Sequence, residues 1–230
     1  MPSSSRAARL SFGLTAAAVF AGVLIQVLVS AGNEHGLFPS AGGRVFNVFC
    51  YSTIQSNLVV GITNLMLALQ IGRGSEWFRV FRLTGIVAIT VTFIVFHTAL
   101  TGLVDLEGWA KVADQFLHTL VPALAVAAWL KFGPRGIVGR RTSLLALIPP
   151  LVWVVFTLIR GALIDFYPYP FVDVNDLGYL RVLANTALIA LLFFALAVGA
   201  AALDRRLARP GRKTMPKETE REGFEPSMER

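Results

Sequence analysis

Apolar residues in this chain gather in long unbroken runs, neither alternating along a strand nor confined to one helical stripe. Segments 10–31, 45–69, 83–103, 113–132, 143–163 and 180–203 each approach or exceed the roughly 20 residues that cross a hydrocarbon core as helix. Runs apolar on every face are surrounded by lipid or by other helices, and their continuity favours helices over a barrel, whose strands would alternate. The pattern predicts an all-α polytopic membrane protein, a bundle of six transmembrane helices spanning 10–204. Residues 1–9 precede it, and 205–230 form a basic, then mixed-charge, disordered tail.

The second run departs from the pattern. VFNVFCYSTIQSNLVVGITNLMLAL, 45–69, carries Thr53, Gln55, Ser56, Asn57 and Asn64. Polar groups in a bilayer are costly and usually face the bundle interior, so their depth is informative. At 1.5 Å rise per residue, Thr53 lies roughly 12 Å, His97 roughly 9 Å and His118 roughly 8 Å inside the outer ends of their runs. A hydroxyl and two imidazoles therefore share one layer. Asn57 and Asn64 continue the stripe of Thr53, while Arg160 and Asn185 border the layer from the last two runs. Between these runs, DFYPYPFVDVNDLGY (165–179) suits either an interfacial aromatic belt or a lid over the polar layer. Hydroxyls and amides of this kind also serve as interhelical glue, and Pro149-Pro150 predicts a kink in the fifth run.

Charge adds an orientation. Arg6 and Arg9, then Arg73, Arg79 and Arg82, then Lys131, Arg135, Arg140 and Arg141, and finally Arg205, Arg206, Arg209, Arg212 and Lys213 all fall on one side. The opposite loops hold Glu34, Asp105, Glu107, Asp114, Asp165, Asp173 and Asp176. Retention of basic loops in the cytoplasm predicts that both termini are cytoplasmic, in a multi-pass protein of the cell membrane. This asymmetry accounts for the pI of about 10.2 without invoking nucleic acid. The first run is too long for a cleavable signal core and leads into further spans. With 55% hydrophobic and 15% charged residues, the expected partners are membrane lipids and a lipid ester or other hydrophobic small molecule. Cys50 is the single cysteine, which excludes an intramolecular disulfide and a cysteine-cluster metal site. No metal and no cofactor are expected; the redox alternative is a haem held by His97 and His118, for which a Soret band is the test.

Two motifs carry a resemblance. FCYSTIQSN (49–57) and HTLVPAL (118–124) resemble motifs of the Pr6Pr-type bacterial membrane proteins and, more distantly, of the androgen-induced and androgen-dependent membrane proteins of animals; YPYPF (167–171) is similar to a third signature of the bacterial branch. The resemblance covers most of the six-helix region and not the tail. It implies an intramembrane threonine hydrolase of fatty acid esters of hydroxy fatty acids, with Thr53 as nucleophile and His118 as base. The chain departs from the animal pattern in the QSN that follows Thr53-Ile54. Ser56, Asn57, His97, Arg160 and Asn185 are the candidates for oxyanion or substrate binding, and Asp114, one turn before His118, is the nearest acid. The alternative function is a non-enzymatic transporter or binding protein for a lipid or other small molecule.

Overall fold

The computed structural model describes residues 5–34 and 37–208. Among them no strand is formed, and six helical spans are long and apolar enough to cross a membrane: Arg6–Gly32, Ser52–Leu69, Glu76–Leu100, Gly108–Phe132, Arg140–Ile164 and Val174–Ala208. The expected tail lies, from residue 209 onward, outside the described residues.

The second apolar run is not one helix. It divides into α2 (Ala41–Cys50) and α3 (Ser52–Leu69) at Tyr51, whose φ of −76° and ψ of 134° are extended. Backbone groups freed by such a break must find partners where water is absent. They do: the Trp153 indole donates to the Cys50 carbonyl at 2.9 Å, and the Thr53 amide donates to the Tyr169 hydroxyl at 3.2 Å. Thr53 thus stands in the first turn of a helix rather than in the middle of one.

The third span, α4 (Glu76–Val95), starts well before its apolar run. Ser75 caps it by accepting the Phe78 amide at 3.0 Å, and Glu76 suits the positive end of the helix dipole. Arg79 and Arg82, read from the sequence as loop residues, are consequently helical. A π-helical turn, Phe96–Leu100, closes this span, and a second, Phe116–Leu120, joins α5 (Gly108–Gln115) to α6 (Val121–Phe132). Each π turn carries one histidine. The fifth span divides into α7 (Arg140–Leu145) and α8 (Ile148–Ile164), so that the paired prolines fall in the first turn of α8, where a missing amide hydrogen costs no helical bond. The last span is α9 (Val174–Ala208), bent at Gly178, whose φ is 70°.

The core is built on α1 (Arg6–Gly32) and α3, which approach closely through small residues. A Cβ added at Gly61 would lie 2.8 Å from Val19 Cγ1, and one at Gly22 would lie 2.9 Å from the Phe116 Cβ. Val19, Val23, Ile54, Val60, Leu117 and Val121 fill the space between α1, α3 and the second π turn. In α3 50% of the most apolar window is buried, against 17% in each of the last two spans. The final two spans therefore offer most of their surface to the surroundings, and a cavity opens beside them.

Candidate functional site

Thr53 owes its position to the break at Tyr51. The first amides of a helix lack intrahelical acceptors, and Tyr51 supplies no side-chain cap for α3. Tyr169, from the segment between α8 and α9, takes that role. Its oxygen accepts the Thr53 amide at 3.2 Å and the Ser52 hydroxyl at 3.0 Å, and lies 3.0 Å from Thr53 Oγ1. A phenol oxygen has two acceptor positions and one hydrogen. With both acceptor positions occupied, the Tyr169 hydrogen goes to Thr53 Oγ1, which leaves the threonine's own hydrogen free. Burial raises the Tyr169 pKa, and the bonds from Ser52 and Thr53 only partly oppose it, so the phenol stays protonated.

Tyr169 is itself firmly held. Its ring stacks on Phe171 at 5.2 Å and meets Tyr51 and Trp153 edge-on at 5.5 and 5.9 Å. Neighbouring Tyr167 sits over Gly161, where a Cβ would come within 2.0 Å of its ring. Segment 165–173 is thus a packed strap, with its aromatic side chains turned onto the polar layer.

His118 comes from the second π turn. Its Nδ1 lies 2.9 Å from Asp114 Oδ1 and 3.2 Å from the Asp114 carbonyl oxygen. Both acceptors favour a hydrogen on Nδ1, which leaves Nε2 as the nitrogen able to take a proton. The ring stacks on Phe96 at 4.0 Å with planes 12° apart, so its orientation is fixed from a second direction. The acid that orients His118 was legible only as a residue one turn away, because its reach depends on the π turn.

Thr53, Tyr169, Leu100 and His118 all line two adjoining cavities. One, of about 320 Å³, lies between α3, α4, α8 and α9 and is almost wholly apolar, with Val154, Ile189 and Phe193 in its wall. The other, of about 780 Å³, reaches the outer end of the bundle past Arg44, Asn47 and Tyr51. Thr53 and His118 therefore stand at the junction of an apolar chamber and a more polar one. Among the described residues no hydrogen bond joins the two side chains, so a proton can pass between them only after a rotation or closure about a ligand.

The other candidate residues separate. Ser56 lines the apolar cavity, but its hydroxyl donates to the Thr53 carbonyl at 2.9 Å, with Thr92 Oγ1 3.3 Å away. Asn57, fully buried, donates its two amide hydrogens to the carbonyls of Thr53 at 2.8 Å and Leu117 at 3.1 Å. It ties α3 to the second π turn and has no hydrogen left for an oxyanion. His97 lines neither cavity and is exposed, with Nε2 3.2 Å from Thr119 Oγ1. Both imidazoles contact the Phe96 ring, His97 edge-on at 5.1 Å. Arg160 donates to Asn47 Oδ1 at 2.9 Å, and Asn185 donates to the Phe171 carbonyl at 2.9 Å, holding the strap rather than entering the site. Tyr169 was missed as a site residue. Its signal in the sequence was the YPYPF segment, which suggested a lid without showing which ring reaches Thr53.

By fold the chain is a multi-pass integral membrane protein. Its candidate site is a threonine, a tyrosine and an acid-paired histidine between two cavities. No family model matches the chain, and no curated protein or solved structure does so either.

Proposed function

We propose that this protein is an intramembrane threonine hydrolase of the cell membrane acting on fatty acyl esters, as the resemblance to Pr6Pr-type proteins and their animal counterparts implies. The observation that carries the reading is the shared position of Thr53 and the His118–Asp114 pair at the junction of an apolar and a polar cavity. The apolar chamber suits an acyl chain arriving from lipid beside the loosely buried α8 and α9, and the outer chamber suits water and the departing alcohol.

In this reaction His118 Nε2 accepts the Thr53 proton and Oγ1 attacks the ester carbonyl. Asp114 holds the ring and stabilises the imidazolium. The tetrahedral adduct expels the alkoxide, which takes the proton from His118 and leaves as alcohol. Water, giving a proton to His118, then attacks the threonine ester and releases the fatty acid with Thr53 restored. Charge on the former carbonyl oxygen develops beside the N-terminal turn of α3, where the helix dipole favours it, and within reach of the Tyr169 hydroxyl once Thr53 Oγ1 is acylated.

The test is hydrolysis of a panel of lipid esters by purified protein. Wild type releases fatty acid and Thr53→Ala falls to background. Equal rates for the two, or no release by wild type from any ester, contradict the reading. A second reading rests on the missing hydrogen bond between Thr53 and His118: the two chambers bind or pass a hydrophobic small molecule without chemistry. Saturable ligand binding retained by both proteins, with no turnover, is its signature.

A further inference from the structure

The end of the bundle that carries the basic loops holds a charge with nothing to balance it. Arg82, within the first two turns of α4, is 2% exposed and heads the fully buried side chains in size. None of its Nε, Nη1 and Nη2 atoms has a hydrogen-bond partner. The Phe12 ring lies 5.6 Å from its guanidinium carbon, offering a favourable quadrupole but no acceptor for its hydrogens.

Two more guanidiniums converge there. Arg79, one turn earlier on the same helix face, has a buried, unpartnered Nε, and Arg135, in the loop after α6, has an unpartnered Nη1. Arg82 and Arg135 stand close enough to repel each other. The remaining Arg135 nitrogen, Nη2, is committed to the Trp129 and Leu130 carbonyls, closing the end of α6. Burial lowers the Arg135 pKa, with the Asp204 carboxylate working against it.

The carboxylates described at this end are already engaged. Glu76 pairs with Arg141 at 2.9 Å. Asp204, fully buried, accepts the amides of Ile137 at 3.0 Å and Val138 at 3.2 Å through Oδ2. Neither forms an ion pair with Arg82 among the described residues. An unpaired buried cation is strongly unfavourable, and a guanidinium presents a planar fork of donors that matches the oxygens of a phosphate.

We infer that Arg82, Arg79 and Arg135 form an internal site for a phosphate-bearing anion between α1, α4 and the loop that follows α6. A phospholipid headgroup reaching in from the leaflet beside the basic loops and a free phosphate share this chemistry. Basic recesses between helices on that side of a membrane are where anionic headgroups bind. The site lies at the opposite end of the bundle from Thr53 and stands whether or not that threonine is a nucleophile.

Native mass spectrometry of the full chain in a neutral detergent tests it, with phosphatidylglycerol and phosphatidylcholine as probes and inorganic phosphate as competitor. Wild type retains phosphatidylglycerol about tenfold better than phosphatidylcholine, and Arg82→Met and Arg135→Gln each remove most of that preference; a tenfold change corresponds to about 1.4 kcal/mol. Arg82→Met keeps the side-chain length and removes the buried charge, so folding is retained, and thermal melting in neutral detergent verifies this. Competition by millimolar phosphate assigns the site to the phosphate group alone, and retention without competition assigns it to the lipid. Binding of phosphate without lipid retention assigns it to the free anion, provided that Arg82→Met abolishes it. Equal retention of the two lipids with no phosphate binding by wild type, or anion binding that Arg82→Met leaves unchanged, overturns the inference.

Discussion

The two ends of this bundle treat buried polar groups in opposite ways. In the outer layer Ser52, Thr53, Ser56, Tyr169, His118 and Asp114 are joined to one another or to nearby backbone by hydrogen bonds of 2.8 to 3.3 Å. At the basic end Arg82 is as deeply buried and has no partner at all. A network complete in itself is held rigid without a ligand, whereas a buried charge without a counter-charge calls for one from outside the chain. The contrast separates a preorganised site from one completed by what binds there.

Tyr169→Phe breaks the contrast most sharply, because it removes the acceptor of the Ser52 hydroxyl and the Thr53 amide together with the donor to Thr53 Oγ1. Loss of a helix cap costs roughly 1 kcal/mol of stability, and loss of an oxyanion donor lowers kcat by about 10²- to 10³-fold. Thermal melting and ester turnover read the two separately. Asp114→Asn comes next. A hydrogen bond to a charged group contributes about 1.5 to 3 kcal/mol, so turnover is expected to fall by roughly ten- to a hundredfold with little change in melting. Unchanged turnover would remove Asp114 from the account.

Gly161→Ala acts on the strap without touching the polar layer. With a Cβ 2.0 Å from the Tyr167 ring, the strap must move. Overpacking of this kind costs about 1 to 3 kcal/mol, and faster limited proteolysis within 165–173 is the readout. Arg82→Met has the smallest expected effect on folding and the opposite sign. Replacing an uncompensated buried charge with an apolar chain leaves melting in neutral detergent unchanged or raises it, where truncating a member of the outer network lowers it.

Much of the outer layer was legible because depth follows from residue count along a helix. That arithmetic brought Thr53 and His118 to one level although it treated 45–69 as a single helix. The break at Tyr51 was hidden: an apolar run records what a segment contacts, not where its backbone turns, and the polar residues that looked like a cavity wall also satisfy a helix end. The π turns were equally invisible, since FHTAL and FLHTL have no sequence signature that distinguishes them from α-helix. The strap was visible as an aromatic segment, but the ring that reaches Thr53 is fixed by long-range packing against Gly161 and Trp153. Arg82 was read as a loop cation because charge beside an apolar run ordinarily marks its end. The Ser75 cap carries α4 further and draws that charge inside.

The central claim is that Thr53 is a nucleophile served by His118. The most direct measurement is intact-protein and peptide mass spectrometry after treatment with a lipid-like fluorophosphonate, on wild type, Thr53→Ala and His118→Ala. The account predicts a single adduct on Thr53 in wild type, none on Thr53→Ala, and labelling of His118→Ala slowed by about 10²-fold or more. Labelling that persists unchanged in Thr53→Ala, or a wild type that stays unmodified and releases no fatty acid from any lipid ester, would contradict it.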